Sequence, residues 1–270
     1  MKSLEVTLST QELYFLSELM GLECIVGIKD PFKDCTKEQI IEAWLELKDK
    51  LLKMNILFED KTYQIDRKHA ILIYALRPES VCCWFNQFIN NNQESCYYYF
   101  TPQLVVKRIY EVTNGLHKLQ LIGTPIEAFQ EMINSFSFSN TERIKVADTY
   151  LTKEQFDILI KLKGDSKFEE YALSNMNPKI QQKLEEFIYS LRTFQKAGQL
   201  VVTALNENQL VFDELNFIQG GNGVWLTNPD INEGVVKYCI KSSTGREIEE
   251  KIKEMVLTKF FSEIEIKSFT

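Results

Sequence analysis

The chain is poor in the residues that most often carry chemistry. It has only two histidines, His69 and His117, and neither stands beside a GxSxG or similar nucleophile signature. A Ser–His–Asp or Cys–His device needs a base oriented by an acid next to a nucleophile, so nucleophilic catalysis has no visible seat. No HExxH, no DxDxDG loop and no CxxC pair occurs, which removes the usual zinc and calcium frameworks. Proline and glycine are scarce, 6 and 11 of 270 residues, so this is neither a disordered chain nor a string of linkers. No apolar run approaches the ~18–20 residues that span a bilayer, and the start, Met1 to Glu5, lacks the apolar stretch of a signal peptide. A cytoplasmic protein with no membrane insertion is expected.

Basic charge is also short. The formal net charge is −7 and the pI about 5.2. A nucleic-acid binder needs a net basic surface to displace counterions, so no nucleic-acid partner is expected. The six cysteines, Cys24, Cys35, Cys82, Cys83, Cys96 and Cys239, have neither metal-ligand spacing nor the density of a disulfide scaffold. They read as small apolar residues in a reducing compartment. Ile218–Gly223 is the one Gly-rich stretch. It lacks the Gly-Lys-Ser/Thr ending of a phosphate loop and reads as a hairpin turn. No enzyme activity, cofactor or metal is expected.

What the chain does have is internal order. Leu8–Gly21 aligns with Leu151–Gly164 at an offset of 143, matching Leu8, Leu16, Leu19 and Gly21 to Leu151, Leu159, Leu162 and Gly164. Ser9 with Glu12 and Thr152 with Gln155 both have capping-box spacing, and each glycine falls where a helix stops. A second helix, Lys37–Asn55, carries Ile40, Ile41, Trp44, Leu45, Leu51 and Leu52. Its expected counterpart starts at Asn177-Pro178 and carries Ile180, Leu184, Phe187, Ile188, Leu191 and Phe194. Asn55 and Gly198 are expected to turn these helices into the strands Ile56–Phe58 and Leu200–Val202, with Trp44 and Phe187 as equivalent buried residues.

Strand-like runs follow in both halves. They are Thr62–Ile65, Val81–Phe88, Ser95–Phe100, Leu104–Val112 and Leu116–Ile122, then Leu200–Leu205, Gln209–Phe217, Gly223–Leu226 and Val235–Ser242. Asn114-Gly115 signals a hairpin. Apolar stripes, Ile126/Phe129/Met132/Ile133 and Ile248/Ile252/Met255/Val256, close each half with a helix. The expected fold class is α+β, an internally duplicated, quasi-twofold antiparallel sheet flanked by helices. Residues 1–135 form the first half, 136–147 a connector and 148–270 the second half, packed as one domain.

Aromatic residues are the informative excess: 18 Phe, 11 Tyr and 3 Trp. They concentrate in Val81–Ile89 and Cys96–Phe100, on either side of a polar run expected to be a loop, Asn90–Ser95. Trp84, Phe85, Phe88 and Tyr97 are candidate anchors for a protein partner, with Asn90, Asn91, Asn92 and Gln93 at the rim. Trp225 sits in a similar hairpin context in the second half. Core packing is the competing reading for all these aromatics.

The opening Val6–Leu22, the helix–strand unit Glu42–Phe58 and the twofold repeat together resemble EspG, the chaperone family of mycobacterial ESX (type VII) secretion, and related proteins of Gram-positive type VII clusters. The resemblance implies a quasi-twofold α+β domain that holds the tip of a helical secretion substrate soluble until export. That substrate is a WXG100/LXG-like protein or similar heterodimer. Contact would run through the central sheet, a loop between its strands and a C-terminal helical part, with no catalytic residues. Two alternatives stand beside it: an acidic immunity protein neutralising a secreted toxin, and a regulator built from two winged-helix-like units.

Overall fold

The computed structural model describes residues 4–22, 24–89, 92–136, 138, 148–161, 177–206, 209–221, 223–232 and 234–268. Side chains of Lys183, Asn232 and 261–268 are excepted. Strand β1 (Glu5–Ser9) leads into α1 (Thr10–Leu19) through the expected capping box: the Glu12 amide donates to Ser9 Oγ at 3.2 Å and the Ser9 amide to Glu12 Oε2 at 2.7 Å. Strand β8 (Thr149–Thr152) enters α5 (Lys153–Lys161) the same way, with Thr152 and Gln155 exchanging bonds of 3.2 and 3.0 Å. Gly21 follows α1 at φ +70°, as a helix stop requires. Gly164 lies outside the described residues.

Between α1 and the main sheet come α2 (Lys37–Lys53), the small hairpin β2 (Leu57–Glu59) and β3 (Tyr63–Ile65), and α3 (Arg67–Tyr74). The rest of the first half is β4 (Val81–Ile89), β5 (Asn92–Phe100), β6 (Val105–Glu111), β7 (Leu116–Gly123) and α4 (Pro125–Phe136). After α5 come α6 (Pro178–Arg192), β9 (Phe194–Asn206), β10 (Gln209–Gly220), β11 (Gly223–Asn232), β12 (Val235–Ser243) and α7 (Gly245–Ser268). Ten strands form one antiparallel sheet in the order β1-β7-β6-β5-β4-β9-β10-β11-β12-β8. Mixed α+β architecture is therefore as expected.

The strand order reads the same outward from the β4–β9 seam. The registers agree with this when Leu8, opposite His117, is matched to Leu151, opposite Tyr238. Moving inward, Val106 corresponds to Trp225, Tyr99 to Ile218 and Cys82 to Ala197. The seam then closes on itself: Cys82 pairs with Thr203, Ala197 with Phe88, and Phe85 faces Leu200 at the centre.

The offset of 143 does not extend beyond the first strand and helix. Ile56 precedes a strand that pairs only with β3, whereas Leu200–Val202 lie in the central strand β9. The helix preceding β4 is α3, so α3 and not α2 occupies the place of α6. Phe187 is buried, but Trp44 is half-buried on an outer layer against Phe15 and Tyr63. Caps and left-handed turns serve any helix-to-strand junction, so they did not identify which strand follows. Asn55 does take φ +55°. Gly198 is instead a strand residue, where a Cβ would come 2.5 Å from the Phe217 ring. In the second half the strands that follow α6, β9 and β10, are built into the ten-stranded sheet.

Adjacent residues of β4 serve opposite faces. Cys83, Phe85, Tyr98, Leu200 and Phe217 face the back, where α4 and α7 cover one core continuous across the seam. Capping boxes Thr124/Glu127 and Thr244/Glu247, not anticipated from the sequence, start both helices. Ile248, Ile252, Met255 and Val256 are buried as expected, but Ile126 is exposed; Ala128 and Phe136 take the inward positions on α4. The front face has two separate cores. Leu13, Leu16, Leu72 and Leu76 of α1, α3 and the turn after α3 cover Cys82, Tyr99 and Val106; Leu159, Leu184 and Phe187 of α5 and α6 cover Ile218 and Trp225.

Candidate functional site

Between the two front cores the central strands are left partly open. Directly paired residues share a face, so the front row across the seam runs Trp84–Val201, Asn86–Gln199 and Phe88–Ala197. On β10 it continues through Glu214 and Asn216 to Phe212. Phe88 is 41 % exposed and Phe212 65 %, whereas on the back Phe85, Leu200, Leu215 and Phe217 are buried and exposure begins at Asp213, toward the end of β10. Polar side chains here are tied to one another: Gln199 and Asn216 donate to Glu214 Oε1 at 2.7 and 2.6 Å, and Gln93 donates to Asn86 Oδ1 at 3.0 Å. A cleft of about 360 Å³ opens beside them, lined by Asn86, Phe88, Gln199, Glu214, Asn216 and Tyr238.

Only part of the expected site lies on this surface. Trp84, Phe88, Gln93 and Tyr97 share the front face; Trp84 stacks on Tyr97 at 6.1 Å and donates to Ser95 Oγ at 3.0 Å. Phe85 points to the back, buried against the Phe136 ring at 4.3 Å. Trp225 is buried under α6, edge-on to Phe187 at 5.4 Å, with its indole N–H donating to Ser190 Oγ at 2.9 Å. Those two side chains are core and have no surface to offer. The expected loop Asn90–Ser95 is also corrected. Asn92, Gln93, Glu94 and Ser95 belong to β5, paired with Ile89, Phe88, Gln87 and Asn86. Ladder pairing extended the strands because Asn and Gln side chains found partners across the ladder. Asn90 and Asn91 lie outside the described residues. Of the expected connector, only Phe136 and Phe138 are described, and their rings stack at 5.6 Å.

A buried polar hub lies beside the front row. Arg108, fully buried, places its guanidinium 3.9 Å from the Tyr97 ring centroid and donates to the Val26 and Gly27 carbonyls at 3.1 and 3.3 Å. It also meets His117 Nδ1 at 3.3 Å. A guanidinium can only donate, so Nδ1 accepts, and Nε2 carries the proton toward Thr10 Oγ1 at 3.0 Å. Burial, then the Arg108 charge, lowers the His117 pKa to about 4. The neutral imidazole is a packing and hydrogen-bonding piece. The thiols are equally quiet: burial raises Cys82 to about 12 and Cys96 to about 11. Cys82 and Cys83 are buried as expected, while Cys24 and Cys35 are exposed.

Gln199, Val201, Phe212 and Glu214 were not anticipated. Their strand was legible, but which of its faces lay uncovered was not. Among the described residues no cluster of three His, Cys, Asp or Glu could hold a metal, and no helix is long and apolar enough to cross a membrane.

No family model matches the chain, and no curated protein does. Among solved structures, 14 chains match. One is from the Mycobacterium tuberculosis type VII secretion system chaperone EspG5 in complex with the PE25-PPE41 dimer. Its TM-score is 0.55 and its identity 10%, over 94% of this chain and 96% of that one. At that identity the likeness is one of fold.

Proposed function

We propose that this chain is a cytosolic binding protein that holds a helical type VII secretion substrate, of WXG100/LXG type or a similar heterodimer, soluble before export. One observation carries the reading. The central strands are sealed on the back by a continuous core, yet on the front they keep an open row with Trp84, Phe88, Val201 and Phe212. An apolar helix tip gains most from such a row, because large aromatic anchors add buried area at low entropy cost. The fold likeness to a chaperone solved with its PE25-PPE41 dimer supports the same reading. Residues 1–135 and 148–270 enter it as duplicated halves of one domain, so that the receptor row lies where they join.

The test uses the full chain co-expressed with helical-hairpin substrates of the WXG100 and LXG types. A photo-crosslinking residue in place of Phe88 should capture the substrate, and the same residue in place of Ile126, exposed on the back, should not. Phe88→Asp should weaken the complex at least tenfold in calorimetry without moving the thermal midpoint. Undiminished binding by Phe88→Asp, or capture from position 126 alone, would place the contact elsewhere. The acidic immunity-protein reading expects a basic partner and steep loss of binding with salt; a salt-insensitive complex excludes it.

A further inference from the structure

The ladder between β10 and β11 ends early. It runs from Gly220–Gly223 to Phe217–Leu226 and stops. Beyond that point β10 stays paired to β9 and β11 to β12, so the two strands part as a fork. The next pair in register would be Asn216 with Thr227. Instead the Asn216 amide donates to the side-chain oxygen of Asn228 at 3.0 Å. The residue that would next aim a donor at β10 is Pro229, which has no N–H to give. Proline thus blunts the β11 prong.

The β10 prong is not blunted. With the Asn216 amide pointing into the fork, strand alternation points the backbone groups of Glu214, Phe212 and Leu210 the same way. They have no ladder partner on that side among the described residues. The side chains beside them are Leu210, 53 % exposed, Phe212, 65 % exposed, and Glu214. A row of backbone donors and acceptors repeating every second residue, about 6.8 Å apart, matches an extended chain; a helix spends its own groups internally.

We propose that the β10 edge from Leu210 to Glu214 takes an extended segment of another protein as an added strand. That segment places an apolar side chain beside Phe212 and a lysine or arginine beside Glu214. A second copy of β10 fits less well, since its sequence, QLVFDELNFIQG, has no basic residue to face the carboxylate. This site meets the helix-binding row at Phe212 but not at Phe88, which pairs with Ala197, six positions along β9 from Thr203, the partner of Phe212.

The probe is a fluorescein-labelled Lys-Val-Thr-Val-Lys-Val-Thr-Val-Lys peptide, titrated by anisotropy against the full chain. Saturable binding is expected. Hydrogen exchange should slow at the Leu210, Phe212 and Glu214 amides. Phe212→Pro removes the outward-facing donor together with the exposed ring and should weaken binding at least tenfold. The same peptide with alternate amides N-methylated should lose binding equally, a comparison that does not depend on how the variant folds. Phe88→Asp should leave peptide binding unchanged, which separates this site from the helix-binding reading. Absent saturation, equal binding of the N-methylated peptide, or protection confined to other strands overturns the proposal. So does concentration-dependent protection of these amides without peptide, which would assign the edge to self-pairing.

Discussion

Both halves of the sheet fork between equivalent strands, the second two positions earlier than the first, and their forks are lined differently. In the first half the β5–β6 ladder stops at Cys96–Ile109, leaving residues 92–95 of β5 without a ladder partner on that side among the described residues. Its front-facing side chains are polar and engaged: Gln93 with Asn86, Ser95 with Trp84. In the second half the equivalent stretch, residues 211–214, carries Phe212, exposed and apolar, where the first half has Gln93. The difference extends inward. Arg108 and His117 fill the first half beneath the Val26–Gly27 strap, while Trp225 and Phe187 fill the second. One backbone pattern accepts either a polar or an apolar filling, because ladder bonds are indifferent to side chains provided each buried polar group finds a partner.

The comparison breaks most directly at its two cores. Trp225→Ala should cost on the order of 3–5 kcal/mol in chemical denaturation, and Trp44→Ala, half-buried on the outer layer, on the order of 1–2 kcal/mol. Equal losses would mean that the outer layer is as tightly packed as the second-half core. Arg108→Ala should cost about 2–3 kcal/mol, because it strips the Gly27 carbonyl of its Arg108 donor and leaves the Val26 carbonyl with the Tyr99 hydroxyl alone. Arg108→Met should restore part of that, and a cost below about 0.5 kcal/mol for the alanine would show that the strap is held by other contacts.

Acid should act on the first half. The folded pKa of His117, about 4, lies below the ordinary 6.5. The unfolded chain therefore binds the proton first. Stability from this group is complete above pH 6.5 and falls as pH drops toward 4, by on the order of 1 kcal/mol between pH 7 and 5. His117→Gln should flatten that slope in denaturation series; an unchanged slope would assign acid sensitivity to carboxylates. The smallest effect concerns the fork. Pro229→Val restores a donor opposite Glu214 and should stabilise by about 0.5 kcal/mol while slowing amide exchange at Phe212. Unchanged exchange would show that the strands are held apart by more than the proline.

The sequence was most legible where the physics is local. Capping boxes at Ser9, Thr36 and Thr152, the left-handed Asn55, and strands at Val81–Ile89 and Val235–Ser243 follow from side chains within a few positions of each other. The short strands β1 and β8 could have been found from the alternation in Val6–Leu8 and Tyr150–Leu151 just ahead of each cap. The aromatic excess pointed to the right hairpin but not to the right side chains. Residues one position apart look alike in sequence, and only the sheet decides that Phe85 faces a closed core while Trp84 and Phe88 face the open seam.

The sequence by itself therefore determined the helices, most strands and the α+β class. Each rests on periodicity, caps or residue types that need no distant partner. The tertiary structure alone decided which strand follows which helix in the sheet, which aromatics are buried, and where the ladders part. Those outcomes depend on pairings between residues more than 100 positions apart, such as Cys82 with Thr203. Side-chain preferences do not encode such registers; they arise when both faces of the sheet are filled at once.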